Sequence, residues 1–127
     1  MTINPQILIV EDNPQIVRLL QLQLKHLGVS SLTASNGLEA LQLYKNSAFS
    51  LIFMDVAMPV MNGLEACIAI REHERENSIN PTPIIAVTGQ AELKECLDAG
   101  MNDLFSKPFL LGDIEQTLLR WLPNSGH

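Results

Sequence analysis

The chain has 127 residues, 46% of them apolar, so it is sized for a single domain, 1–127, with one core. Its formal charge of −6, with only eight Lys and Arg spread along its length, excludes the clustered basic footprint of a nucleic-acid binder. Apolar runs of four or five residues are too short for a membrane span or a secretory leader, and Cys67 and Cys96 fall outside any CxxC or Cys/His ligand spacing, so a reduced, cytoplasmic setting is expected.

The first apolar run, Ile7 to Val10, predicts a strand. Asn13 then offers a capping oxygen, and Pro14 suits the first helical position, where its missing N–H costs nothing. Val17, Leu20, Leu24 and Leu27 mark a buried stripe, His26 sits in the last turn as a favourable charge or polar cap, and Gly28 can end the helix in the left-handed conformation. Ser31 to Ala34 predicts the second strand, and Asn36 with Glu39 opens the second helix. Leu51 to Met54 predicts the third strand, and Asn62 with Glu65 places a capping side chain and an acid at capping-box spacing before the third helix. The end of that helix, Arg71 to Glu76, reads as a solvated charged face whose pairs contribute roughly a few tenths of a kcal/mol each. A fourth strand is expected over Ile84 to Val87, a fourth helix from Ala91 to Ala99 before Gly100, and a fifth strand over Leu104 to Ser106. The fifth helix runs from Leu111 to Leu122 with Ile114, Leu118, Trp121 and Leu122 inward, leaving 6–122 as the core and Pro123 to His127 as a loose tail.

Five strand–helix units in succession predict an α/β fold with a parallel sheet covered on both faces. The flavodoxin-like order 2-1-3-4-5 sets the first and third strands beside the point where ligands bind, outside the carboxyl ends of the strands. Glu11 and Asp12 follow the first strand, Asp55 the third, Thr88 the fourth and Lys107 the fifth, so all five fall on one rim.

Carboxylates gathered at such a rim repel, by about 1 kcal/mol per pair at 4 Å in water and about 4 at an effective dielectric of 20. A cation resolves the conflict, and an all-oxygen donor set suits Mg²⁺ better than zinc or copper. Asp55 would then be a nucleophile toward a phosphoryl group, as carboxylates are in aspartyl-phosphate chemistry. Mg²⁺, the Lys107 ammonium and the Thr88 hydroxyl would meet the charge on its three equatorial oxygens. Taken singly, each residue has a plain structural role: an Asp after a strand is usually a turn or cap, and Thr88 a capping hydroxyl. Met54, Met58 and Met61 read as core and loop filling, and the two cysteines as small residues facing the core.

The run LIVEDN (Leu8 to Asn13), MDVAMPVMNG (Met54 to Gly63), PIIAVTG and FSKPF resemble the receiver domain of bacterial response regulators over about Gln6 to Leu122, in wording nearest the receivers of hybrid histidine kinases. The resemblance implies a phosphorelay switch with Glu11, Asp12, Asp55 and the backbone carbonyl of Ala57 as Mg²⁺ ligands, and Thr88 and Lys107 on the phosphoryl group. It also implies a cis Lys107-Pro108 bond, a histidine kinase or histidine-phosphotransfer protein as donor, and a downstream effector protein, with no nucleic acid or membrane bound. Such a domain catalyses its own phosphorylation and dephosphorylation rather than acting as a conventional enzyme; Ala57 and Gln90 would tune water access. The chain departs from the family pattern at Leu104, where an aromatic switch residue is usual, with Phe105 one place later on the opposite face. The stretch from Thr88 to Gly100 is also short for a loop and fourth helix. Two rivals stand beside this reading: a receiver-like interaction module that accepts no phosphoryl group, and a nucleotide or flavin binder, for which no Gly-rich loop follows the first strand.

Overall fold

The computed structural model describes residues 6–89 and 92–122. Five strands form one parallel sheet: β1 (Gln6–Val10), β2 (Ser30–Ala34), β3 (Leu51–Met54), β4 (Ile84–Thr88) and β5 (Asp103–Ser106). They lie side by side in the order β2-β1-β3-β4-β5, as expected. Five helices alternate with them: α1 (Pro14–His26), α2 (Gly37–Asn46), α3 (Gly63–Glu76), α4 (Leu93–Asp98) and α5 (Leu111–Trp121).

The three central strands explain the architecture. β3 and β4 are buried along their whole length and β1 from Ile7 onward, as near-continuous apolar strands covered on both faces must be. Successive side chains point to opposite faces. Leu8, Val10, Ile52, Met54, Ile84 and Ala86 pack with Ala40, Tyr44, Ala66, Cys67, Ile70 and Cys96 of α2, α3 and α4. Ile7, Ile9, Leu51, Phe53, Ile85 and Val87 pack with Leu20, Leu24, Ile114 and Leu118 of α1 and α5. Full burial of each large aliphatic or aromatic side chain contributes about 1.5–3 kcal/mol. Both cysteines are buried and free.

Helix starts follow the local signals. Asn13 Oδ1 accepts from the Gln15 N–H, and Asn36 Oδ1 from the Glu39 N–H. Asn62 and Glu65 form a complete reciprocal box, each side chain accepting from the other's backbone N–H. On α2 the box is broken, because the Glu39 carboxylate turns to the amide and hydroxyl of Ser35 instead. Gly28 follows α1 at φ +79°.

Four expectations need correction. Val17 does not join the buried stripe of α1; Ile16 packs against the core in its place. At about 100° per residue Ile16 lies about 40° round the helix from Leu20, and Val17 about 60° on the other side. Thr88 is the last residue of β4 rather than the first beyond it, paired with Ser106. Helix α4 is shorter than expected, beginning at Leu93; Ala91 lies outside the described residues, as does the tail at 123–127.

The fourth correction concerns the charged end of α3. Arg71 and Glu74 are not a solvated face but the centre of a buried network at the amino-terminal end of the sheet. Arg71 donates to Glu74 Oε1 at 2.7 Å, to the carbonyls of Gly100 and Thr82 at 2.9 Å each, and to Asn102 Oδ1 at 2.8 Å. The other Glu74 oxygen accepts from Tyr44 Oη at 2.6 Å and from the Thr82 N–H at 2.8 Å. This ties α2, α3 and the two loops leading into β4 and β5. Among the described residues, no helix is long and apolar enough to cross a membrane.

Candidate functional site

At the opposite, carboxyl-terminal rim, the ladder itself positions the acids. The Asp55 N–H donates to the Val10 carbonyl at 2.9 Å, and the Glu11 N–H to Ala34 at 3.0 Å, so both residues begin their turns from strand geometry. Glu11 and Asp55 are buried, while Asp12 is exposed at the mouth. One carboxylate oxygen from each of the three lies within 4.8 Å of the others.

Lys107 closes the pocket from β5. Its N–H donates to the Thr88 carbonyl at 3.0 Å, the Lys107-Pro108 bond is cis, and the ammonium reaches Glu11 Oε1 at 2.7 Å and Asp55 Oδ2 at 3.4 Å. Glu11 Oε2 accepts from the Asn13 N–H at 3.1 Å, and Asp55 Oδ1 from the Ala57 N–H at 3.3 Å.

Burial raises the Glu11 carboxyl above its ordinary value, against the pull of Lys107 and the Asn13 amide, and the charge of Asp55 adds to the rise. Burial works against the Lys107 ammonium too, but Glu11 and Asp55 overcome it and hold its pKa above that of a free lysine. Three carboxylates facing one ammonium leave two negative charges in a partly enclosed space. That is an electrostatic cost a divalent cation can offset.

Five residues picked from the sequence therefore meet at one rim: Glu11, Asp12, Asp55 and Lys107 share the pocket, and buried Thr88 ends the neighbouring strand. Ala57 meets Asp55 through its amide. Gln90 lies outside the described residues. Leu104 and Phe105 face opposite sides of β5: Leu104 packs toward α3 and α4, while Phe105 stacks edge-on with Phe53 and Phe109.

Gly63 closes the MDVAMPVMNG run, and the structure adds why a glycine stands there: a Cβ would collide with the carbonyl of Asp55. Nothing in the sequence marks that close approach beyond the glycine itself, which follows the capping Asn62 at the first position of α3.

Residues 7–119 match the response regulator receiver domain. The chain belongs to that family. Receiver domains serve two-component and phosphorelay signalling, and this receiver domain is one of them. It is 38% identical, over 120 residues, to part of the sensor histidine kinase GacS of Pseudomonas protegens, covering 92% of this chain but only 13% of that protein. Among solved structures it is similar to the receiver domain of the response regulator Ssk1, crystallised with the histidine phosphotransfer signaling protein Ypd1 of Saccharomyces cerevisiae. The TM-score there is 0.86 at 33% identity, over 93% of this chain and 88% of that one. It is also similar to the receiver domain of sensor histidine kinase PA1611 from Pseudomonas aeruginosa, solved with a magnesium ion coordinated in its active site cleft. The TM-score is 0.83 at 34% identity, over 94% of this chain and 98% of that one.

Proposed function

We propose that this receiver domain, residues 1–127 as one unit, takes a phosphoryl group onto Asp55 from a phosphohistidine on a histidine kinase or histidine-phosphotransfer protein, in a Mg²⁺-dependent step. The observation that carries the reading is the cluster of Glu11, Asp12 and Asp55 oxygens within 4.8 Å, faced by a single ammonium. Its hard oxygen donors and residual negative charge fit Mg²⁺, which would be held by Glu11, Asp12, Asp55 and the Ala57 carbonyl. When bound, the ion would supply charge neutralisation for the acids and for an incoming phosphoryl oxygen.

The rest is the work of the chain's own residues. An Asp55 carboxylate oxygen forms the new O–P bond as the N–P bond breaks, and the leaving imidazole keeps the electron pair. Lys107, now shared between Glu11 and Asp55, has its ammonium within reach of a phosphoryl oxygen bonded to Asp55. Thr88, at the end of β4, would donate its hydroxyl to another. The phosphorylated side chain carries about 1.5–2 negative charges on the phosphoryl oxygens in place of the single charge of the carboxylate, and these draw on both residues and bias the surface that a downstream effector protein reads. We place the domain in the cytoplasm, where its buried thiols stay reduced.

The test is intact mass after incubation with Mg²⁺ and a small phosphodonor. A gain of one phosphoryl group is expected in the wild type, lost with chelator and in Asp55→Asn. A wild type that stays unlabelled, or label that persists in Asp55→Asn, overturns the assignment and leaves an interaction module without phosphoryl chemistry.

A further inference from the structure

The loop joining β3 to α3 carries Asp55 at its start and is gripped by a residue remote in sequence. The Gly37 N–H, at the first position of α2, donates to the Met61 carbonyl at 2.9 Å. A Cβ on Gly37 would stand 2.6 Å from that carbonyl oxygen and 2.9 Å from Ala66 Cβ and Met61 Cγ. Gly37 is helical, so the glycine is required for room rather than for an unusual backbone angle.

The grip passes to the acceptor by short steps. Two residues beyond Met61, Gly63 donates to the Val56 carbonyl at 2.9 Å and seats its Cα against the Asp55 carbonyl. Between them and Asp55 the loop has little slack. The Met61 N–H bonds the Pro59 carbonyl at 2.7 Å across Val60, whose φ is +69°, a strained γ-turn for a β-branched residue. A push on Met61 therefore cannot be absorbed locally at low cost.

From this geometry we infer that Gly37 is a positioning residue for the phospho-acceptor. By carrying no side chain it lets α2 hold the Met61 carbonyl, which keeps Gly63, and so the backbone of Asp55, at the height where the acid meets Glu11 and Asp12. The inference rests on the proposed Mg²⁺ and phosphoryl chemistry at Asp55.

The experiment compares Gly37→Ala with Tyr44→Phe, a variant that weakens the network at the other end of the sheet. Mg²⁺ binding is measured by titration calorimetry, phosphoryl uptake by intact mass and stability by urea. Gly37→Ala should weaken Mg²⁺ binding roughly tenfold, as loss of an outer supporting contact does, and slow uptake at least as much. Tyr44→Phe should lose stability alone. A folded Gly37→Ala with wild-type Mg²⁺ affinity and uptake overturns the inference.

Hydrogen exchange on the wild type decides the matter if Gly37→Ala does not fold. Coupling is reciprocal, so Mg²⁺ should slow exchange of the Gly37 amide more than that of the Ile84 amide, which bonds Asn102 Oδ1 at 2.8 Å at the far end. Equal slowing would mean global stabilisation only and sinks the idea. A wild type that binds no Mg²⁺ fails the underlying reading itself, an outcome distinct from both.

Discussion

The ammonium of Lys107 stands 2.7 Å from Glu11 Oε1, closer than it stands to Asp55 Oδ2 at 3.4 Å. Glu11 thus takes most of the lysine's charge, and Asp55 keeps a carboxylate that is only partly engaged. Lys107→Gln removes the one cation in the pocket among the described residues. Mg²⁺ affinity should then rise roughly three- to tenfold, because a competing positive charge is gone, while phosphoryl uptake falls by about 10²-fold for want of a preorganised donor. Calorimetry and labelling on the same preparation check both. Weaker Mg²⁺ binding in this variant would contradict the competition.

Arg71 makes four hydrogen bonds and neutralises Glu74, whose residue is only 2% exposed. Arg71→Met leaves that carboxylate buried without a cation and strands the carbonyls of Gly100 and Thr82. A loss of about 3–5 kcal/mol is expected, a large part of the total stability of a domain this size. Urea unfolding measures it. Phosphoryl uptake by the folded fraction should stay near wild type, because the network lies at the end of the sheet away from Asp55.

Alkaline stability should depend on Tyr44. Burial, and then the hydrogen bond onto Glu74, push its phenol from 10.0 up to about 12, while Thr82 and Arg71, which also face it, pull the other way; the edge of the His73 ring packs beside it. Between those two values the folded state holds a proton that the unfolded chain has released. The Tyr44 contribution to stability is therefore at its full value below about pH 10 and is lost as pH rises toward about 12. Cys67, raised by burial from 9.0 to about 11, starts the decline earlier, and Lys107, also raised, extends it above 10.5. Tyr44→Phe should flatten the slope between pH 10 and 12 in urea titrations and leave the Cys67 portion in place; an unchanged slope would rule Tyr44 out as its source.

Val60 is 77% exposed and held at φ +69°. Val60→Gly removes backbone strain of about 1–3 kcal/mol and adds about 0.5–1 kcal/mol of chain entropy to be lost on folding. The net should be a rise in Tm of a few degrees, roughly 2–5 °C. The grips at Met61 and Gly63 survive the change, so Mg²⁺ affinity should move less than twofold. Differential scanning calorimetry reads the first effect and titration calorimetry the second.

The sequence alone determined the order of elements, the helix caps at Asn13, Asn36 and Asn62, and the gathering of Glu11, Asp12, Asp55, Thr88 and Lys107 at one rim. Those signals are local: a cap acts over three residues, a strand alternates every second residue, and parallel strand–helix units leave few ways to order the sheet. The family motifs supplied the rest of that legibility.

Only the tertiary structure decided which partner Lys107 prefers, and that Arg71 and Glu74 go inward while their charged neighbours stay out. It also decided that Ile16 rather than Val17 meets the core, and that Gly37 and Gly63 are needed for close approach. Each of these turns on groups that meet across different elements, from Gly37 and Met61 to Glu11 and Lys107. A charged run reads the same whether it is solvated or enclosed, and a glycine reads the same whether it serves a turn or a contact. What separates the cases is the distance to atoms that the chain brings together only when its layers pack.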